Sequence, residues 1–435
     1  MTDILDRLYS TLVDSDDEHG RGDLPEEACR EVPGNAAKLV GGFTLQKSGD
    51  RVADAKTVLA WMLTSLGAPD FTTALLVPIR ESGSLLPQAL LVPLVRRRGL
   101  RSRVWSAGAV GQSVAIAAIG FAGFTLSGLG LGLATLAGLA IFALARAVSS
   151  ISAKDVIGKT IPFGDRGSVT GIAASIAGLA AIVTGVVITT SLRSADATTL
   201  ALVVGGSAVL WLGGAAVFLT VEEEPSPEDA SDPATSLRES FTLLAEDAPF
   251  RRFVTARALM LVTALSPPFV VALSASVGES AVSGVGPFVV ATGIAGLIAS
   301  PIWGRLADRS SRLVMATASA ASALIILAYL GLRQGGVEST WWLGPGTYLL
   351  LAIAHAGARM GRKTYVVDMA GGDKRTRYVA VSNTLIGLIL LGTGVAGAAV
   401  AGFGAAWTLA GLAVAGLAGT GVSLSMEEIH AEEGS

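Results

Sequence analysis

LLVPIRESGSLLPQALLVPL, residues 75–94, is the stretch on which the reading of the whole chain turns. Most of it is oily helix, yet Arg80 and Glu81 stand side by side near its middle, between Pro78 and Pro87. If the segment spans a membrane, two charges lie where each costs roughly 2.5–3.5 kcal/mol even on lenient insertion scales. The membrane reading therefore has to be secured from the rest of the chain first.

Composition supports it. Of 435 residues, 51 % are hydrophobic and 15 % charged, with a mean hydropathy of +0.59, whereas a soluble domain carries nearer a quarter charged residues. The 53 glycines suit helices packed closely in lipid. Cys29 is the single cysteine, which excludes an intrachain disulfide and a thiol-ligated cluster. His19, His355 and His430 are far apart, which argues against a histidine metal site. Neither a Gly-x-Ser-x-Gly elbow nor a full Gly-x4-Gly-Lys-Thr phosphate loop is present, so neither an enzyme nor an ATP-driven pump is expected. No metal, cofactor or nucleic-acid partner is expected.

Working outward from residues 75–94, about twelve segments satisfy the requirement of roughly 20 apolar residues per crossing. They run approximately 36–63, 71–95, 104–125, 128–152, 168–190, 198–220, 253–275, 283–303, 313–332, 342–364, 379–402 and 405–425. The first is the least obvious, because Lys47, Asp50, Arg51, Asp54 and Lys56 interrupt it. Basic loops give an independent check. RRRGLRSR (96–103), Lys154, Lys159, Arg166, GRLADRSSR (304–312) and RKTYVVDMAGGDKRTR (362–377) fall on one side, while the other side holds Arg193 and Arg333 and little else basic. Positive charge stays inside, so both termini are expected in the cytoplasm and the protein in the plasma, or inner, membrane. The N-terminal stretch lacks a basic start and an apolar run, so it does not read as a signal peptide.

The expected organisation is an acidic arm (1–34), a six-helix bundle (35–220), an acidic linker (221–250), a second six-helix bundle (251–425) and an acidic tail (426–435). DILDRLYSTLV in the arm and SLRESFTLLAED in the linker read as short helices. The two bundles read as copies. A shift of 209 places Ala145 on Ala354, Lys154 on Lys363, Arg166 on Arg375, Gly178 on Gly387, Gly185 on Gly394, Pro78 on Pro287 and Arg103 on Arg312. A duplicated six-helix half is the plan of transporters that rock two bundles about a central site.

GRLADRSSR resembles the Gly-x-Leu-Ala-Asp-Arg-x-Gly-Arg loop of the major facilitator superfamily, with Gly304, Leu306, Ala307, Asp308, Arg309 and Arg312 on the pattern and Ser311 in place of its second glycine. In that family the motif is clearest between helices two and three; here that loop is RRRGLRSR, without the aspartate. KSGDRVA (47–53) is similar to a first-helix Gly-Asp pattern of some members. The resemblance implies an all-α integral membrane protein of two pseudo-symmetric six-helix bundles, with Gly304, Asp308, Arg309 and Arg312 as a gate. It also implies that spans one, four, seven and ten line a central path.

Charges inside the spans fall mostly on that path. Lys47, Asp50, Arg51 and Asp54 share one face of span one, and Arg80, Glu81, Ser84 and Gln88 lie along span two. Arg146, Ser150 and Lys154 recur at steps of four in span four; His355, Arg359 and Lys363 do so in span ten, and Arg257 with SPP (266–268) marks span seven. Two readings stand side by side. In one, Asp50 pairs with Lys47 or Arg51 and Arg80 with Glu81 or Asp54, merely holding helices together. In the other, some of these groups bind a solute and a carboxylate exchanges a proton, with Glu81 facing Arg80 as the candidate.

Cations outnumber acids along the path, which points to an anionic or zwitterionic solute. The expectation is therefore a monomeric secondary transporter, moving a small solute with protons by alternating access. A proton-driven drug or metabolite efflux pump and a transporter-like sensor or scaffold remain as alternatives. Span five has Gly171, Gly178 and Gly185 at intervals of seven but no proline, so it lacks the Gly- and Pro-rich pattern common in drug:proton antiporters.

Overall fold

The computed structural model describes residues 26–162, 165–191, 196–225, 237–276, 284–337, 340–369 and 374–428. The helix expected at DILDRLYSTLV lies outside the described residues. Among those described, the regular structure is helical throughout.

In chain order the helices are α1 (Glu26–Val52), α2 (Val58–Ser65), α3 (Asp70–Leu85), α4 (Gln88–Arg96), α5 (Arg101–Thr125), α6 (Gly128–Thr160), α7 (Arg166–Ser191), α8 (Ala197–Gly206), α9 (Ala208–Phe218), α10 (Leu237–Glu246), α11 (Ala248–Leu259), α12 (Val262–Ala275), α13 (Gly286–Arg309), α14 (Ser311–Leu332), α15 (Leu343–Met369), α16 (Lys374–Ala401) and α17 (Ala405–Leu424). Joined end to end across short breaks, they make twelve spans: α1–α2, α3–α4, α5, α6, α7, α8–α9, α11–α12, α13, α14, α15, α16 and α17. The helix read from SLRESFTLLAED is α10.

Eight spans are long and apolar enough to cross a bilayer on length and composition. The other four are α1–α2, α3–α4, α13 and α15, each of which carries charge or a break. Outward-facing Val114, Phe121, Leu179, Val209, Leu324, Val395 and Val414 leave large apolar side chains on the surface, as lipid requires. Trp341, Trp342, Phe403 and Trp407 are exposed at the end of the bundle opposite the linker, where interfacial aromatics belong.

The breaks have local causes. Between α1 and α2, Asp54 Oδ1 accepts from Lys56 N at 2.5 Å and Asp54 O accepts from Leu59 N at 3.0 Å, a turn that replaces the helical ladder. Span one is therefore discontinuous at mid-length, and Asp54 leaves the helical face expected for it. Between α3 and α4, Pro87 has no N–H to donate, and Gln88 Nε2 reaches back to Ser84 O at 2.8 Å. Ser84 Oγ donates to Glu81 O at 2.9 Å, so Ser84 and Gln88 repair backbone rather than line a path. Span seven breaks at Met260–Leu261, a turn ahead of Pro267 and Pro268, which lie within α12.

Helix pairing repeats between the halves. In the first, α1 packs on α7 and α9, α5 on α6 and α8–α9, and α3 on α6; in the second, α11–α12 pack on α16 and α17, α14 on α15 and α17, and α13 on α15. The halves meet along two long crossings, α3 against α16 and α7 against α13, and more briefly where α2 and α3 touch α12. The repeat-related glycines make the long crossings. A Cβ on Gly185 would lie 2.7 Å from Gly286 O and Val290; one on Gly293 would lie 2.7 Å from Gly178 O. On the other crossing, a Cβ on Gly394 would lie 2.6 Å from Pro78, and one on Gly387 2.7 Å from Leu86. Ser82 Oγ adds a bond to Gly387 O at 2.9 Å.

The buried apolar core joins the halves mainly on one side, with a smaller shared cluster of Val77, Leu261, Leu265, Ile386 and Leu390 where α3 meets α12 and α16. Away from the linker, Trp61, Leu76, Ile188, Phe269, Val285, Phe288 and Leu351 belong to one cluster. Toward the linker the core divides: Leu39, Phe43, Trp105, Val169 and Phe218 form a cluster of the first half alone, and Phe253, Trp303, Met315, Tyr365 and Val381 one of the second. The bundles are sealed at the far end and part toward the linker end.

Each half also closes its own base with the acidic segment that follows its last span. Asn35 exchanges two bonds with the Glu222 backbone (2.8 and 3.0 Å), Lys38 Nζ meets Glu222 Oε1 at 2.7 Å, and Glu223 Oε1 accepts from Ser102 N at 2.7 Å. The last contact places a carboxylate on the positive end of α5. In the second half, Arg312 Nε lies 2.7 Å from Glu428 Oε2 and its Nη1 donates to Met426 O at 3.0 Å, while Tyr365 Oη donates to Glu427 O at 3.1 Å.

Candidate functional site

Charged side chains gather where the halves part, around the break in span one. Asp50 is the hub of the first half. Its Oδ1 takes Arg80 Nη2 at 3.1 Å and its Oδ2 takes Arg146 Nη2 at 2.8 Å, tying spans one, two and four. Arg80 lies 5.3 Å from the centre of the Phe142 ring, on the α6 helix that also supplies Arg146. Arg146 continues to Gln112 Oε1 at 3.3 Å; Gln112 Nε2 donates to Ser149 Oγ at 3.1 Å, and Ser149 Oγ to Trp105 O at 3.2 Å. Both expected partner schemes are corrected here: Asp50 pairs with neither Lys47 nor Arg51, and Arg80 with neither Glu81 nor Asp54. Spans two and four present their guanidinium groups to Asp50 from both sides, and its two oxygens are thereby occupied.

The unwound turn of span one presents Lys56, which the helical reading of that span left unplaced. Lys56 Nζ lies 3.3 Å from His355 Nε2 of α15, and His355 Nδ1 lies 2.9 Å from Thr263 Oγ1, which donates to Met260 O at 3.0 Å. With Thr263 donating to Met260, the consistent assignment has the ring accept at Nε2 and donate from Nδ1. This chain crosses from the first half to spans ten and seven. Arg51 makes a second crossing: its Nη1 donates to Thr292 O at 3.3 Å, and its Nη2 would lie 3.1 Å from a Cβ on Gly296. The Thr292 hydroxyl lies 3.2 Å from Tyr348 Oη. Lys47 is half-buried beside Asp50, and its charge interacts with those of Arg146, Arg51 and Arg359.

The second half contributes cations. Apart from Asp308 and Asp368 near helix ends, none of its spans carries a carboxylate. Arg257 is buried, donating to Ser382 Oγ and, at 3.0 Å, to Asn383 Oδ1 of α16. Its path role is thus shared with a packing role that joins spans seven and eleven. Arg359 is exposed on α15 one turn below His355, and Arg362, which the sequence reading counted only with the basic loop 362–377, continues the same stripe. Glu81 is half-buried with no ion-pair partner among the described residues, although Lys56, Arg80, Arg359 and Arg362 all feel its charge.

Of the expected gate, Gly304 and Asp308 lie in α13, and their side chains fall outside the described residues. Arg309 is exposed at the end of α13, and Arg312 serves the clasp on Glu428 described above. In the first basic loop, Arg101 is buried and donates to Val95 O and Arg98 O, closing the end of α4, with Nε 3.4 Å from Asp155 Oδ2. The residues that sequence reading missed are Lys56, Gln112, Thr263, Tyr348, Arg362 and Asn383. Lys56 and Arg362 carried a signal, charge inside a span; the others are neutral and depend on which helix faces which.

Comparison with known proteins agrees with this architecture. Residues 55–388 match the family described as Major Facilitator Superfamily. No individual curated protein matches significantly. Among solved structures, a POT family transporter in complex with a thioalcohol-conjugated peptide is similar over 94 % of this chain and 99 % of its own, with a TM-score of 0.71 and 10 % identity. A D-xylose-proton symporter is similar over 91 % of this chain and 98 % of its own, with a TM-score of 0.68 and 12 % identity. An inward-open xylose transporter, XylE from E. coli, gives 91 % and 97 % coverage, a TM-score of 0.66 and 10 % identity. At these identities what is shared is the fold.

Proposed function

The chain belongs to the Major Facilitator Superfamily, and we propose that it carries a small anionic or zwitterionic solute by alternating access, coupled to protons. As a multi-pass membrane protein of that family it is a transporter rather than an enzyme. The observation that carries the finer reading is the concentration of charge at the parting of the halves: Arg51, Lys56, Arg359 and Arg362 against Glu81 and Asp54, neither of which has an ion-pair partner among the described residues. A charged group inside a bilayer persists where it faces a cavity or a partner, and these face each other across the cleft between two bundles.

With both termini cytoplasmic, the end that parts is the inward one, and the sealed end with its aromatic rim is outward. The plasma membrane, a monomeric carrier, and a gate formed by Gly304, Asp308, Arg309 and Arg312 complete the proposal. Coupling follows from the electrostatics. In the empty carrier, Glu81 offsets part of the field of Lys56, Arg359 and Arg362. An anion that occupies those cations displaces this role, and Glu81 takes up a proton as the cleft closes. The proton-coupled function named for the xylose symporter is compatible with such a scheme.

Transport by protein in liposomes, driven by a pH gradient and scored across a pool of small acids, amino acids, dipeptides and sugars, tests the reading. Wild-type protein should accumulate at least one solute. Glu81→Gln should still exchange that solute at equal pH but lose accumulation against its gradient. Accumulation that survives Glu81→Gln removes Glu81 from coupling, and binding without any movement supports a sensor.

A further inference from the structure

Arg359 and Arg362 are three residues apart on α15, on the stripe whose upper member, His355, meets Lys56 of the opposite half. Both guanidinium groups therefore look into the cleft, and among the described residues neither has a hydrogen-bond or ion-pair partner. Beside them Arg257 is 7 % exposed and its Nε lacks a hydrogen-bond partner, although its other nitrogens are held by Ser382 and Asn383. A buried donor without an acceptor is costly, and the half-buried Arg362 and exposed Arg359 beside it add positive charge with no carboxylate of their own half among the described residues.

The internal repeat supplies a second, independent observation. Under the 209-residue shift, His355 corresponds to Arg146 and Lys363 to Lys154, but Arg359 corresponds to Ser150 and Arg362 to Ala153. A packing role common to both bundles would be expected in both copies. Moreover Arg146 has Asp50 at 2.8 Å, whereas among the described residues no carboxylate of the second half plays that part for Arg359 or Arg362. Asp50 thus neutralises Arg80 and Arg146 of the first half, and no described carboxylate of the second half does the same for Arg359 and Arg362.

We propose that Arg359 and Arg362, with Arg257 behind them, form a binding subsite for an oxyanion, so that the solute docks its anionic end on the second half. Paired guanidinium forks match a carboxylate or phosphate in a way that a point charge such as Lys363 does not. This rests on the transporter reading and narrows it from anionic or zwitterionic to anionic. A zwitterion would have to place its ammonium among Lys56, Arg359 and Arg362, which outnumber the nearby carboxylates Glu81 and Asp54.

The test measures thermal unfolding of the purified full-length chain at constant ionic strength, with inorganic phosphate, glycerol 3-phosphate, succinate or dialanine titrated against chloride. Saturable stabilisation by phosphate and glycerol 3-phosphate assigns a phosphoryl group, and by succinate alone a carboxylate. Either effect should fall at least tenfold in apparent affinity in Arg359→Gln and Arg362→Gln, and persist in Lys363→Gln. Because loss of Arg257 could unfold the protein, that residue is left intact. Stabilisation by dialanine alone, equal anion effects in wild type and both variants, or no saturable anion effect would each overturn the subsite. If liposomes still accumulate a neutral or zwitterionic solute in that event, the transporter reading stands and only the anion subsite falls.

Discussion

Replacing Asp50 with Asn removes one charge and no volume, so its effect isolates the ion-pair hub. Asp50 holds Arg80 at 3.1 Å and Arg146 at 2.8 Å. Removing one partner of a dry buried pair costs roughly 3–5 kcal/mol, because a charge is left behind uncompensated; a surface pair is worth about 0–1 kcal/mol. The Asp50 side chain is 16 % exposed and that of Arg146 30 % exposed, with the cleft on one side. Arg80 keeps the Phe142 ring, and the asparagine oxygen can still accept one bond. The expected cost lies between the two limits, about 2 kcal/mol, equivalent to a fall in Tm of roughly 2 °C for a chain of this length. Thermal unfolding of Asp50→Asn, Arg146→Gln and the double variant gives the check. The double variant should fall short of the sum of the singles by about 1 kcal/mol or more, while Lys363→Gln leaves Tm unchanged. An Asp50→Asn protein that unfolds with wild type, or strict additivity with Arg146→Gln, would refute the hub.

Three further outcomes follow from the packing and the clasps. Gly293→Leu puts a side chain where even a Cβ would lie 2.7 Å from Gly178 O; it should pry α7 from α13, cut transport at least tenfold and raise labelling of a cysteine placed at Val290. Asn35→Ala removes both bonds to the Glu222 backbone, so amide exchange at Glu222 should speed up by about tenfold or more. Lys38 holds the Glu222 carboxyl below its ordinary range. The stabilisation this gives is therefore present above the ordinary glutamate pKa of about 4.3 and lost as pH falls through the lowered value. Protection factors at residues 221–224, taken relative to the intrinsic exchange rate at each pH, should fall on acidification below that point, and Lys38→Ala should flatten the dependence.

How much of this could be seen in the sequence depends on the kind of feature. Span count, the division into halves and the α10 helix follow from apolar runs and punctuation, which are local. The glycine register at 178, 185, 387 and 394 was visible as a repeat, but its use in the two crossings between halves was not. Residues 47–54 read as one helical face, and the break after Val52 escaped because an Asp-led turn inside a span looks like any other polar interruption. The pairing of Asp50 was misread for a related reason. Sequence favours neighbours three or four residues away, whereas its partners come from helices thirty and ninety-six residues further on. Glu81 stood out in the sequence beside Arg80 alone, whereas in the fold Lys56, Arg359 and Arg362 also feel its charge.

The glycine crossings bear on how the two halves came to differ. What the copies share is mechanical: the paired glycines, the prolines at 78 and 287, and an acidic clasp at each base. What they do not share is chemical: on one cleft face Arg80 and Arg146 are matched to Asp50, while on the other Arg359 and Arg362 have no acid of their own half among the described residues. The duplicated part is thus a bearing, and a bearing tolerates no added methyl groups. The surface it turns toward the cleft was free to diverge. Specialisation of such a carrier for a new solute would then be written in one half's cleft face, while the faces that slide past each other stay as they are.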